Sequence, residues 1–128
     1  PGNILGRSAA AGIAWIPYEE AALAQAVEQG KPVVIDFSAE WCLPCKELDH
    51  LTFNQPEVIE AAKGVVPLKA DLTMHGSPAV RELRKKYDIR GVPTIVFIDA
   101  AGRERQNLRA VEFIDKEEFL SRLNKLTS

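Results

Sequence analysis

The segment Val33 to Phe37 (VVIDF) constrains this chain most. It is an apolar run broken only by Asp36, without the polar alternation of a half-exposed strand, so it suits a strand covered on both faces. Such a strand needs a layer on each side, which calls for an α/β domain with helices above and below a sheet. The flanking patterns supply those elements. Ile13 to Ile16 (IAWI) predicts a short first strand ended by Pro17. Tyr18 to Gln29 predicts a helix with Ala22, Leu23, Ala26 and Val27 on its apolar stripe, closed by Gly30 and Pro32. Helix formers return over Pro44 to Leu51 and Glu57 to Lys63. Val65 to Leu72 reads as a strand in which Pro67 marks an edge position or an irregular start. Ser77 caps a helix that begins with Pro78 and runs to Tyr87, and Thr94 to Ile98 (TIVFI) is a further buried strand. The turn Asp99 to Gly102 predicts a hairpin onto Asn107 to Val111, and Asp115 caps a last helix to Leu126. The order β, α, β, α, α, β, α, β, β, α implies a mixed sheet flanked by helices on both faces.

At 128 residues, 46% of them hydrophobic and 27% charged, the chain has the size and composition of one domain. Residues 1–12 (PGNILGRSAAAG) are small and aperiodic and read as a flexible linker or a cloning remnant, leaving 13–128 as the domain. Met74 is the only methionine, so the chain as given does not begin at its own start codon and is expected to be part of something longer. A formal charge of −2 supplies no basic field for a phosphate backbone, so nucleic acid is not an expected partner. No apolar run approaches the roughly 20 residues that cross a bilayer, which argues against direct membrane insertion of this segment. The run Arg84, Lys85, Lys86 reads as the solvated face of its helix.

Cys42 and Cys45 are the only cysteines, three apart, just beyond the carboxyl end of the VVIDF strand. Four uses suit that spacing. Covalent haem attachment needs a His after the second Cys, where Lys46 stands. A zinc site needs four ligands, with only His50 and His75 to join the thiols, and neither has finger spacing. A purely structural bridge across so short a loop restrains the unfolded chain little. Redox chemistry accounts for the placement better. At the mouth of a helix, free backbone N–H groups and the helix dipole stabilise a Cys42 thiolate, and Cys45 lies a turn further in. Cys42 is then the attacking sulfur and Cys45 the resolving one. Asp36 precedes Cys42 by six residues on the buried strand, and Asp49 follows Cys45 by four on the same helical face. If both acids approach the pair, their charge opposes the dipole and raises the Cys42 pKa.

The string DFSAEWCLPCK (Asp36 to Lys46), followed by GVPT (Gly91 to Thr94), resembles the thioredoxin superfamily, whose signature joins W-C-x-x-C after a central strand to a Val/Ile-Pro-Thr segment facing it. The resemblance spans Ile13 to Leu126 and implies the thioredoxin fold. It also implies a protein-disulfide reductase whose redox element is the cysteine pair itself, with no organic cofactor and no metal. From the resemblance, Pro93 is expected in the cis form, with Val92 and Pro93 contacting bound substrate, and Trp41 shielding the disulfide on the docking face. Three further stretches, Leu51 to Val58, Asp71 to Tyr87 and Ala110 to Leu123, are similar to the terminal periplasmic domain of membrane-embedded thiol–disulfide interchange carriers. That likeness implies a monomeric, periplasmic domain of an inner-membrane protein. It would take electrons from a transmembrane donor domain and pass them to a periplasmic acceptor domain, with Asp36 and Asp49 as the acids beside the cysteines. Three features depart from that pattern: the dipeptide between the cysteines is Leu43–Pro44, the IRGVPT segment is closer to ordinary thioredoxins, and Ser38 replaces the aromatic residue common in thioredoxins. A stand-alone periplasmic reductase, or a non-catalytic binding module on the same fold, therefore remains an alternative.

Overall fold

The structure is a computed structural model that describes residues 12–128. The expected linker 1–12 therefore falls outside the described residues except for Gly12. That glycine has φ +115°, with the Phe53 carbonyl oxygen 3.0 Å from where a Cβ would stand, so a side chain there is strained and crowded.

Four strands form one mixed sheet in the order β1-β3-β2-β4: β1 (Ile16–Pro17), β2 (Val33–Ser38), β3 (Val66–Asp71) and β4 (Thr94–Ile98). β3 runs parallel to β1 and β2, and β4 is antiparallel to β2. All six residues of β2 are buried, as the apolar run requires. Val33, Ile35 and Phe37 face one side, where α1 (Glu20–Glu28) and α4 (Pro78–Tyr87) cover them with Ala26, Leu23, Val80 and Leu83. Val34 faces the other side, packed with Leu48, Val58, Phe97 and Phe119 from α2 (Leu43–Glu47, continued by a π turn over Leu48–Thr52), α3 (Pro56–Ala61), β4 and α5 (Lys116–Thr127). Strand alternation sends Asp36 to this second side, towards the helix that carries the cysteines.

The caps at Ser77 and Asp115 form as read: their side chains accept the N–H of Val80 and of Glu118. Three boundaries differ from expectation. The expected first strand Ile13–Ile16 is reduced to Ile16–Pro17: residues 13–15 do not pair, and Pro17 joins because no ladder partner awaits its missing N–H at an edge position. Pro67 lies inside β3, a strand with neighbours on both sides, at a point where β1 has not yet begun to pair. The expected hairpin strand Asn107 to Val111 does not form. Residues Gln106–Leu108 make a 3₁₀ turn, and only Ala110 bridges Ile95, through bonds of 2.7 and 3.0 Å. The reason lies in α5. The Arg122 guanidinium donates to the carbonyls of Leu108 and Arg109 at 3.0 and 2.9 Å, and those acceptors are then withdrawn from a β ladder.

Candidate redox site

The end of β2 delivers the chain to the helix mouth. Ser38 and Ala39 are buried, Glu40 and Trp41 turn outward, and Cys42 takes the N-cap of α2 in an extended conformation. Cys42 Sγ accepts the Cys45 N–H at 3.2 Å, so one of the helix's free donors points at this sulfur. The two cysteines are joined in a disulfide, with Cα atoms 5.3 Å apart. Each residue is only 4% exposed, packed with Ala39 and Val92. Cys45 lies further along the helix than Cys42, yet in this oxidised form the two are equally covered. Val92 is half-buried against the sulfurs, the Val92–Pro93 peptide is cis, and the Thr94 hydroxyl donates to the Gly91 carbonyl at 2.7 Å.

The acids meet, through a partner the sequence reading missed. Lys69 on β3 lies in register with Asp36 on β2. Its Nζ is 3.7 Å from Asp36 Oδ2 and 3.6 Å from Asp49 Oδ1, standing between the two carboxylates. Asp49 and Lys69 line one crevice of about 300 Å³ with Cys45, Lys46, Glu40 and Asp71. Asp49 thus shares a wall with Cys45, and Asp36 is joined to that wall through Lys69; Cys42 is not on it. Asp36 is 2% exposed, and its Oδ1 has no hydrogen-bond partner among the described residues. Burial, opposed by the Lys69 ammonium and reinforced by the Asp49 carboxylate, pushes the Asp36 carboxyl up to about 7. The signal for Lys69 was present in the sequence as a lone cation inside the apolar strand VVPLKADL, but its partner is set by strand register.

A second missed element ties the cysteine loop down. The Glu40 N–H donates to Thr73 Oγ1 at 2.9 Å and the Trp41 indole N–H to the Thr73 carbonyl at 3.0 Å. Asp71 accepts from both the Thr73 N–H and hydroxyl, bonds that hold its carboxyl below the usual range. Trp41 is 59% exposed, with the His75 ring edge-on to it at 6.2 Å. Thr73→Val keeps the shape and removes the hydroxyl. It is expected to cost about 1 kcal/mol of stability and to speed hydrogen exchange at the Glu40 amide. An unchanged exchange rate there would show that the hydroxyl does not hold the loop.

Among the described residues no group of three His, Cys, Asp or Glu side chains is placed to hold a metal ion, and no helix is long and apolar enough to cross a membrane.

This sheet order, with a disulfide-forming Cys-x-x-Cys pair at the helix mouth and a cis-proline loop against it, defines a class. The thioredoxin-like family profile matches residues 14–100, and the chain belongs to that family. Within it, the chain is similar to the thiol:disulfide interchange protein DsbD of Cronobacter sakazakii, with 43% identity over 112 residues that make up 88% of this chain and 19% of that protein. The DsbD of Yersinia pestis is 39% identical over 111 residues, 87% of this chain and 18% of that protein. The chain therefore spans about a fifth of the length of these curated relatives. Among solved structures, the oxidised C-terminal domain of Neisseria meningitidis DsbD superposes with TM-score 0.71 at 28% identity, covering 88% of this chain and 99% of that one. A thioredoxin from Thermus thermophilus gives TM-score 0.73 at 28% identity, covering 89% and 86%.

Proposed function

We propose that this domain is a reductant relay: it accepts an electron pair from the dithiol of a membrane-embedded donor domain and passes it to the disulfide of a periplasmic partner. The observation that carries this reading is the Cys42–Cys45 disulfide at the helix mouth, with Cys42 Sγ on a backbone N–H and Val92 packed over the pair. In the reduced domain the Cys42 thiolate attacks one sulfur of the partner's disulfide. A Cys42–partner disulfide forms, and the partner's other sulfur leaves as a thiolate. Cys45 then loses its proton and attacks Cys42 Sγ, closing the Cys42–Cys45 bridge and releasing the partner's second thiolate. Two electrons pass from the domain's dithiol to the partner, whose two thiolates take up protons. The donor's dithiol reverses these steps to reload the domain.

Asp36 fits the resolving step. A carboxyl titrating near 7 can take up and return a proton at working pH, and Lys69 links it to the crevice that Cys45 lines. Asp49 shares Lys69 and sets how much of its charge Asp36 feels. Trp41, Val92 and Pro93 form the surface on which a partner's polypeptide would rest. The redox element is the disulfide itself, so no organic cofactor or metal enters the cycle. The likeness to DsbD supports placing the domain in the periplasm, as a monomeric part of an inner-membrane protein.

Equilibrating the domain with glutathione or dithiothreitol buffers and counting free thiols tests the direction of transfer. A reductant relay is expected to be more negative than roughly −200 mV, since oxidising members of the class lie near −120 to −180 mV. A potential in that oxidising range overturns the relay. A bridge that does not equilibrate at all favours a binding module.

A further inference from the structure

Two hollows border the cysteine loop, and their charges differ. On one side the crevice holds the carboxylates of Glu40, Asp49 and Asp71 against Lys46 and Lys69. On the other, a groove of about 310 Å³ runs between Trp41 and the Gly91–Val92 loop, floored by Leu72 and Ile89. Its charged lining side chains are two guanidiniums, Arg84 and Arg90, with no carboxylate beside them in the wall. Arg84 is anchored: its Nε donates to the Ile89 carbonyl at 3.3 Å, which holds the charge at the groove. Arg90 meets Asp88 at 3.5 Å, but those side chains are 87% and 75% exposed, and so open a pair neutralises little. Arg84, read from sequence as part of a solvated helix face, therefore also lines the groove beside Trp41 and Val92.

We infer that this groove selects partner polypeptides bearing acidic side chains next to their reactive cysteine, with Arg84 and Arg90 as specificity-determining residues. The inference rests on the proposed thiol–disulfide exchange and adds the chemistry of the partner. An apolar floor beneath a cationic rim fits a peptide segment that offers both an apolar and an acidic side chain. The opposite flank, with its three carboxylates, fixes which way the segment lies. The chain's overall charge is −2, so a preference for acidic partners would run against the net field and must come from the local groove.

The test uses the full chain carrying Cys45→Ser, reduced, with two synthetic peptides. Each peptide has one cysteine held as a mixed disulfide with 2-nitro-5-thiobenzoate, flanked by Glu in one and by Lys in the other. The Cys42 thiolate attacks the peptide sulfur, the Cys42–peptide disulfide forms, and coloured 2-nitro-5-thiobenzoate leaves. Each rate is divided by that peptide's rate with a small neutral thiol, which removes intrinsic reactivity. The Glu peptide is expected to react about tenfold faster at low ionic strength, with the ratio collapsing towards unity at about 0.5 M salt. Arg90→Glu, at an exposed position, should invert the preference, and Arg84→Lys should retain it. A ratio near one in the parent, or a preference that Arg90→Glu leaves untouched, overturns the inference while leaving the exchange chemistry standing. If neither peptide reacts although the Cys42 thiol is free, the exchange reading fails and this inference falls with it.

Discussion

Replacing Cys45 with serine is expected to stop turnover at the mixed disulfide. The reduced variant, mixed with a partner whose disulfide it would normally reduce, should accumulate a covalent adduct that survives denaturation and dissolves in dithiothreitol. Cys42→Ser should give no adduct and background turnover. The asymmetry follows from the helix mouth. Cys42 Sγ receives a backbone N–H and sits at the positive end of the helix, so its thiolate is the better stabilised. Cys45 lies within the first turn and opens onto the crevice containing Asp49 and Lys69. It can attack Cys42 Sγ once the partner is bound there, but it lacks the helix-mouth position. Exposure does not decide the order, because both residues are equally covered in the oxidised domain. Mass spectrometry of the adduct reads out the outcome. A stable adduct on Cys45 in the Cys42→Ser variant, with none on Cys42, would reverse the assignment.

The second large effect concerns stability. In the unfolded chain Asp36 titrates near its ordinary 3.8, whereas in the folded domain it titrates near 7. Between those values the folded state holds a proton that the unfolded state has released, so the contribution of Asp36 to stability is greatest at the acid end and falls as pH rises from about 4 to about 7. Three pH units at 1.36 kcal/mol each set a ceiling of about 4 kcal/mol. Asp36→Asn is close in shape and cannot ionise. The oxidised variant should therefore be more stable than the parent above pH 7, on the order of 2–4 kcal/mol, and the difference should vanish towards pH 4. Denaturant curves at several pH values measure it, and parallel parent and variant profiles would sink the idea. In the reduced domain the same change removes a negative charge near the site and is expected to lower the Cys42 pKa, read from the pH dependence of alkylation. Loss of the proton acceptor should at the same time slow resolution.

The order of the secondary-structure elements was legible in the chain, apart from one strand, because its signals are local. VVIDF had to be covered on both faces, Ser77 and Asp115 had to cap helices, and the cysteines had to follow a buried strand into a helix. Asp36 was already conspicuous as the one charge in that strand. The missing strand at Asn107 to Val111 shows the limit of local signals. The segment follows a good turn, yet Arg122, thirteen residues beyond Arg109, takes the carbonyls a ladder would use.

By itself the sequence determined the sheet's central strand, the helix-mouth placement of Cys42 and Cys45, and the burial of the Asp36 carboxyl in that strand. These follow from periodicity, capping and spacing within a few residues. Only the tertiary structure decided the electrostatics. Lys69 stands between Asp36 and Asp49 because β2 and β3 pair in one particular parallel register. One crevice beside the cysteine loop gathers Glu40, Asp49 and Asp71, while the groove at Trp41 and Val92 gathers Arg84 and Arg90, because the sheet and its loops bring these distant residues together. Coulomb energy depends on distance through space, and residues far apart along a chain have no distance until the sheet is formed.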